Sequence, residues 1–144
     1  MPSKIILFIF ISLLQSFAFA DGPLKVLGVV SVYDGDTLRV NLDCDASLFC
    51  DNMPIRLRGI DAPEIRGKCE AEKEKAIQAR NVLRALIEQS TKEGREVVLH
   101  EPERGKYFRL VADVYIDGLS VGQALINQGL ARSYNGGKRE GWCG

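Results

Sequence analysis

Two short stretches concentrate acids and arginines: Asp34-Gly35-Asp36-Thr37, and Arg56-Leu57-Arg58-Gly59-Ile60-Asp61-Ala62-Pro63-Glu64. A further arginine, Arg109, closes Lys106-Tyr107-Phe108-Arg109. Asp36, Asp61 and Glu64 offer hard oxygen ligands and a base. Arg56 and Arg109 offer planar forks, each matching two phosphate oxygens. A phosphodiester resists hydrolysis because its charge repels nucleophiles and its leaving group is poor. Three devices lower that barrier: a cation on a non-bridging oxygen, a base that activates water, and fixed donors where charge builds up. These residues could supply all three, as in a metal-dependent phosphodiesterase.

Two carboxylates ~5 Å apart repel by ~3 kcal/mol at an effective dielectric of 20. A gathered set of acids therefore shifts its pKa values or recruits a cation. Asp36 and Asp61, with a backbone carbonyl and waters, make an all-oxygen site that suits calcium, which accepts irregular geometry. Magnesium and manganese suit the same donors. Singly, each piece has a plainer reading. Asp-Gly-Asp is a common turn, Asp-Ala-Pro-Glu can be a strand exit, and Arg56 and Arg58 can be solvated strand positions. Their joint order and strand context raise them above that.

The elements that must position them read as three strands, a helix, two strands and a helix. Residues 25–33 are rich in β-branched side chains, and 36–43 alternate Leu38, Val40 and Leu42 against Thr37, Arg39 and Asn41. Asp34-Gly35 between them is a hairpin signal. A third strand, 53–60, alternates Ile55 and Leu57 with Arg56 and Arg58, and Ala62-Pro63 ends it. Residues 70–89 predict an amphipathic helix along Ala76, Ala79, Leu83 and Leu86, its stripe widened by Ile77, Val82 and Ile87. Glu70, Glu72 and Glu74 suit its positive end. Strands follow at 95–101 and 107–116, the latter with Leu110, Ala112, Val114 and Ile116 on one face and Arg109 on the other. Ser120 and Gln123 form a capping-box signature for a last helix that stops at Gly129. This order predicts a mainly β, α+β domain: a five-stranded OB barrel with two to three packed helices.

Residues 1–20 read as a secretory signal peptide. Lys4 is followed by the apolar run Ile5 to Leu14 and by Ala18-Phe19-Ala20, a small-x-small cleavage site. Taking 20 from 144 residues leaves 124, enough for one domain, 21–144. Taking Lys4 from 19 basic residues leaves 18 against 19 acidic ones. Nonspecific nucleic-acid binders are usually strongly basic, so a polyanion would need locally concentrated charge. A secreted or periplasmic monomer without stable membrane association is expected.

Four cysteines in an exported small domain predict disulfides. Three pairings are possible. Cys44 and Cys50 flank a short loop and are the preferred pair, which leaves Cys69 with Cys143. The chain-entropy model assigns about 2 kcal/mol to the short loop and about 4.5 to the long one. A zinc site is disfavoured because the spacings are not paired CxxC and His100 is remote. His100 reads as a strand surface residue, and Trp142 as packing for the tail. Arg132, Lys138 and Arg139 fit either phosphate contacts or a solvated tail. Arg58 shares the parity of Arg56, which leaves a phosphate contact open.

The chain resembles the thermonucleases, the exported staphylococcal-nuclease-like family, from about Val26 to about Tyr134. The likeness rests on Asp-Gly-Asp-Thr (34–37), Arg-Leu-Arg-Gly-Ile-Asp-Ala-Pro-Glu (56–64), Lys-Tyr-Phe-Arg-Leu-Val-Ala-Asp-Val (106–114) and Ala-Leu-Ile-Asn-Gln-Gly-Leu-Ala (124–131). The resemblance implies an OB barrel and a calcium-dependent endonuclease acting on DNA and RNA to leave 3′-phosphate products. It implies calcium ligation by Asp36, Asp61 and the Ala62 carbonyl, with Asp34 behind them. Glu64 matches the usual general base, and Arg56 and Arg109 match the phosphate-binding arginines. Lys106 and Tyr107 match residues that contact a terminal phosphate. Phe108 stands where the family often has glycine, which implies a differently shaped loop. The stretch after Glu64 is short, and a tail pinned by Cys143 is expected in place of a long C-terminal helix. The competing expectations are a non-catalytic barrel that binds single-stranded nucleic acid or a protein, and a calcium-stabilised structural module.

Overall fold

The computed structural model describes residues 22–45 and 47–144, so the signal-peptide reading of 1–20 lies outside the described residues. The chain runs β1 (Leu24–Val32), β2 (Thr37–Leu42), α1 (Ser47–Cys50), β3 (Met53–Leu57), β4 (Ile60–Asp61), α2 (Glu70–Lys92), β5 (Val97–Arg104), β6 (Leu110–Ile116), β7 (Leu119–Ser120), α3 (Val121–Asn127) and β8 (Arg132–Ser133). The sheet order is β3-β2-β1-β5-β6-β7, and a further pairing joins β3 to β6. The five strands β3, β2, β1, β5 and β6 thus close a barrel, the predicted OB-type architecture, with three helices attached among the described residues. The closing β3–β6 pair is parallel, with Arg56 opposite Val111. The register of β1 against β2 shifts twice, between Val26 and Gly28 and between Val29 and Ser31. Such bulges let a strand bend around a small barrel.

Inward residues are those that the alternation marks. Leu38, Val40, Leu42, Ile55, Leu57, Ala112, Val114 and Ile116 are all buried. Ala76, Ala79, Leu83 and Ile87 of α2 complete the core. Ile77 does not: it is exposed, lying off the buried line that runs through Ala76, Ala79, Leu83 and Ile87. α2 continues to Lys92, past the predicted end, until Gly94 takes a left-handed conformation. The predicted 53–60 strand breaks at Arg58-Gly59, where Gly59 has φ +76°. The 107–116 strand begins only at Leu110, because Tyr107 and Phe108 sit at φ 58° and 54°. Phe108 therefore holds a backbone conformation in which glycine is unstrained.

The hairpin expected at Asp34-Gly35 is present, with β1 and β2 antiparallel and Val32 opposite Leu38. Gly35 is also a point of contact, where an added Cβ would lie 2.7 Å from Ala79 Cβ and 2.9 Å from Ala62 Cβ. Ser120 caps α3 by accepting from Gln123 N at 3.1 Å, whereas the Gln123 side chain turns forward to Asn127 rather than back. Both predicted disulfides are present, Cys44–Cys50 and Cys69–Cys143, with Cα atoms 5.8 and 6.0 Å apart. Among the described residues no helix is long and apolar enough to cross a membrane.

Candidate active site

The β1–β2 turn carries Asp34 and Asp36, both buried. Asp34 Oδ1 accepts the Asp36 amide at 3.2 Å, which ties the turn together. Asp36 then reaches across the barrel mouth. Its Oδ2 accepts the Ala62 amide at 2.9 Å and lies 3.1 Å from Arg56 Nη1. Its Oδ1 accepts the Thr37 hydroxyl at 2.9 Å. Arg56 is held by its own strand exit, donating to the Leu57 carbonyl at 2.8 Å and the Ile60 carbonyl at 3.0 Å. Asp36, Arg56 and the 60–62 backbone are therefore joined in one hydrogen-bonded unit. The carboxyl of Asp34 is pushed up to about 7, first by burial and then by the charge of Asp36.

Asp61 is buried on β4, and Glu64 lies half-exposed three residues on. Both face Arg139. Its guanidinium pairs with Asp61 Oδ1, donates to Glu64 Oε1 at 2.5 Å, and reaches the Ala62 carbonyl at 3.4 Å. Burial alone would lower the pKa of Arg139, but the bonds to Asp61 and Glu64 more than offset that and raise it. Trp142 Nε1 donates to Asp61 Oδ2 at 3.4 Å. Three oxygens from Asp61, Ala62 and Glu64 thus converge on one positively charged group. Hard oxygen donors that already gather around a cation fit a divalent ion of the calcium type. The proximity of Cys69, Cys143 and Glu72 is a different matter, since those cysteines form a disulfide.

Arg109 stands apart from this network. It precedes β6 by one residue, on the outward parity shared with Val111, the register partner of Arg56. Its Nε is buried without a hydrogen-bond partner. Lys106 and Tyr107 occupy the exposed turn before it. No hydrogen bond among the described residues links Lys106, Tyr107 or Arg109 to the acids. Arg58, left open as a phosphate contact, is instead engaged by Asp113 at 2.9 Å and flanked by Glu101 and Glu103. His100 is a surface residue whose ring lies against Tyr115, tilted by 56° at a centroid distance of 4.7 Å.

Two residues at the site were read for something else in the sequence. Glu72 appeared only as a favourable charge at a helix start. It is buried and accepts from the Glu64 and Lys68 amides at 3.3 and 2.9 Å, so it shapes the loop that carries Glu64. Gly67 leaves room for it, since a Cβ there would lie 2.5 Å from Glu72. Arg139, which the sequence leaves as either a phosphate contact or a solvated tail residue, instead binds acids more than seventy positions away, and nothing in its spacing ties it to them.

Comparison with known proteins gives one family. The model described as staphylococcal nuclease homologue matches residues 54–141. That stretch includes Arg56, Asp61, Glu64, Arg109 and Arg139, and begins after Asp34 and Asp36. No curated protein matches the chain.

Proposed function

The chain belongs to the staphylococcal nuclease homologue family, and from that membership we propose that it is a calcium-dependent endonuclease. It hydrolyses phosphodiester bonds of DNA, RNA or both, and breaking the bond to the 5′ oxygen leaves the phosphate on the 3′ side. The observation that carries this reading is the convergence of Asp61, Ala62 and Glu64 oxygens on one cation, beside the Asp36–Arg56 pair.

Asp36, Asp61 and the Ala62 carbonyl would hold calcium, which when bound neutralises charge on a non-bridging phosphate oxygen. Glu64 is the base. Its half-exposed carboxylate takes a proton from water as the water oxygen attacks phosphorus in line with the leaving 5′ oxygen. Arg56, fixed by two backbone carbonyls, and Arg109, with an uncommitted Nε, stabilise the charge that builds on the phosphoryl oxygens. Lys106 and Tyr107 meet the substrate at the exposed turn, and Asp34 steadies Asp36. We further propose that residues 1–20 direct export, that 21–144 work as one monomeric domain, and that the protein is secreted or periplasmic. Two disulfides suit an oxidising compartment.

The test is plasmid and RNA degradation in calcium, then in chelator. Cleavage in calcium alone is expected. Glu64→Gln should lower turnover by about 10²–10⁴-fold with little change in melting temperature. Arg109→Lys should lose roughly a hundredfold, because an ammonium cannot reproduce the fork. Wild-type rates from Glu64→Gln would remove Glu64 from the mechanism. Nucleic-acid binding without cleavage in calcium would favour the non-catalytic barrel.

A further inference from the structure

The proposed reaction has no use for Arg139, yet Arg139 touches more of the site than any other residue outside it. It is carried by residues 134–144, which contain no helix or strand. That segment is built to return to the site. β8 pairs with β4, placing Arg132 opposite Asp61. Tyr134 N donates to the Gly59 carbonyl at 2.8 Å, and Gly136 and Gly137, at φ 93° and 86°, turn the chain back. Arg132 stacks over Trp142 at 3.9 Å and donates to the Gly141 carbonyl at 2.9 Å. The Cys69–Cys143 bridge closes the far end. Arg139 is thereby suspended between two anchors, directly over Asp61 and Glu64.

Its contacts are with Asp61 Oδ1, Glu64 Oε1 and the Ala62 carbonyl. On the reading given above, which this inference rests on, two of the three are cation ligands and the third is the base. A divalent ion set among these oxygens would face the guanidinium charge at close range, so the two repel each other and compete for the same donors. We propose that residues 134–144 are an internal competitor for the divalent cation: Arg139 neutralises Asp61 and Glu64 while no ion is bound, and withdraws when one binds.

Tethering makes this competition intramolecular, so Arg139 acts at a fixed effective concentration that dilution cannot lower. The apparent cation affinity is reduced by the fraction of molecules in which the segment has withdrawn. Withdrawal does not require the barrel to open. Arg139 is 42% exposed, and its segment adds no strand to the barrel sheet. Glu64 is also released as a base only when Arg139 leaves, so cation binding and base activation become one event. The consequence is a cation threshold for activity that is set by the segment rather than by the ligands alone.

The experiment is calorimetric titration of calcium into the wild-type chain, Arg139→Gln and Arg139→Lys, without nucleic acid. Arg139→Gln should bind calcium about tenfold more tightly or better, and Arg139→Lys should fall between the two. In chelator Arg139→Gln should melt below wild type, and its gain in melting temperature on adding calcium should be the larger. Hydrogen exchange of the wild type needs no variant: calcium should speed exchange in residues 135–142 while slowing it in 60–64. Equal, measurable affinities in wild type and Arg139→Gln would overturn the competitor and leave the calcium reading standing. Weaker binding by Arg139→Gln would overturn it too, since Arg139 would then be supporting the site. No calcium binding by any of the three would overturn both.

Discussion

Asp34 and Asp36 share one turn, and their burial makes them unequal. Asp36 is surrounded by donors: the Ala62 amide, the Thr37 hydroxyl and the Arg56 guanidinium. Asp34 gains little of that support and is pushed up to about 7, by burial first and by Asp36 second. The ordinary value of 3.8 applies to the unfolded chain. Between about pH 4 and 7 Asp34 therefore holds more of its proton in the folded chain than in the unfolded one, and its contribution to stability falls as pH rises through that window. The contribution is complete below the lower limit and gone above the upper one. Urea midpoints measured in chelator from pH 4 to 8 should decline accordingly. Asp34→Asn, neutral throughout, should flatten the decline, and an unchanged slope would place the titrating group elsewhere. Of the individual side chains, Asp34, Asp36, Arg56, Asp61 and Glu64 were legible as a group from type and order. What could not be read was which groups answer them. Arg139 lies far along the chain, and the role of Glu72 depends on a loop folding back onto a helix start.

At the scale of elements, the site depends on how closely α2 lies against the β1–β2 turn. Gly35 sits where the two meet, with Ala79 on the helix and Ala62 on the exit from β4 both within 3 Å of the position a Cβ would take. Both contacts are to short, inflexible side chains, so neither can swing aside. Gly35→Ala should cost about 1–3 kcal/mol of stability, read as a lowered urea midpoint. It should also lower activity, because the turn that must move carries Asp34 and Asp36. Full stability in that variant would mean that the turn and helix are not packed as described. Alternation, helical periodicity and the capping signature sufficed to locate all five barrel strands, the long α2 and the short α3, since each buries one face. The errors fall where backbone geometry overrides pattern. Tyr107 and Phe108 read as strand but turn with positive φ. Arg58-Gly59 interrupts a run that alternates cleanly. β4 and β8 are two residues each and carry no periodic signal, yet they bring Asp61 beside the returning chain.

For the molecule as a whole, the parts are joined by ties of very different reach. The Cys44–Cys50 bridge spans a sequence separation of 6 and staples the short α1 excursion between β2 and β3. The Cys69–Cys143 bridge spans 74 and encloses α2, β5, β6 and α3, fastening the end of the described chain to the start of α2. The short pairing could be anticipated from its loop, and the long one from the two cysteines that then remain. That the second one also suspends Arg139 over the acids could not, because it follows from where Cys69 lies relative to Glu64 after folding. Loop-closure entropy orders the two. Removing the short bridge should cost about 2 kcal/mol and the long one about 4.5, if the unfolded chain is the state they chiefly constrain. The double variants Cys44→Ser/Cys50→Ser and Cys69→Ser/Cys143→Ser, unfolded in urea with calcium present, provide the comparison. The second should lose clearly more stability than the first. Equal losses would mean that the long bridge fastens a segment whose attachment matters little to the barrel. In that case its stabilising effect would be local to residues 134–144, and the strands and α2 would owe their cohesion to the core alone.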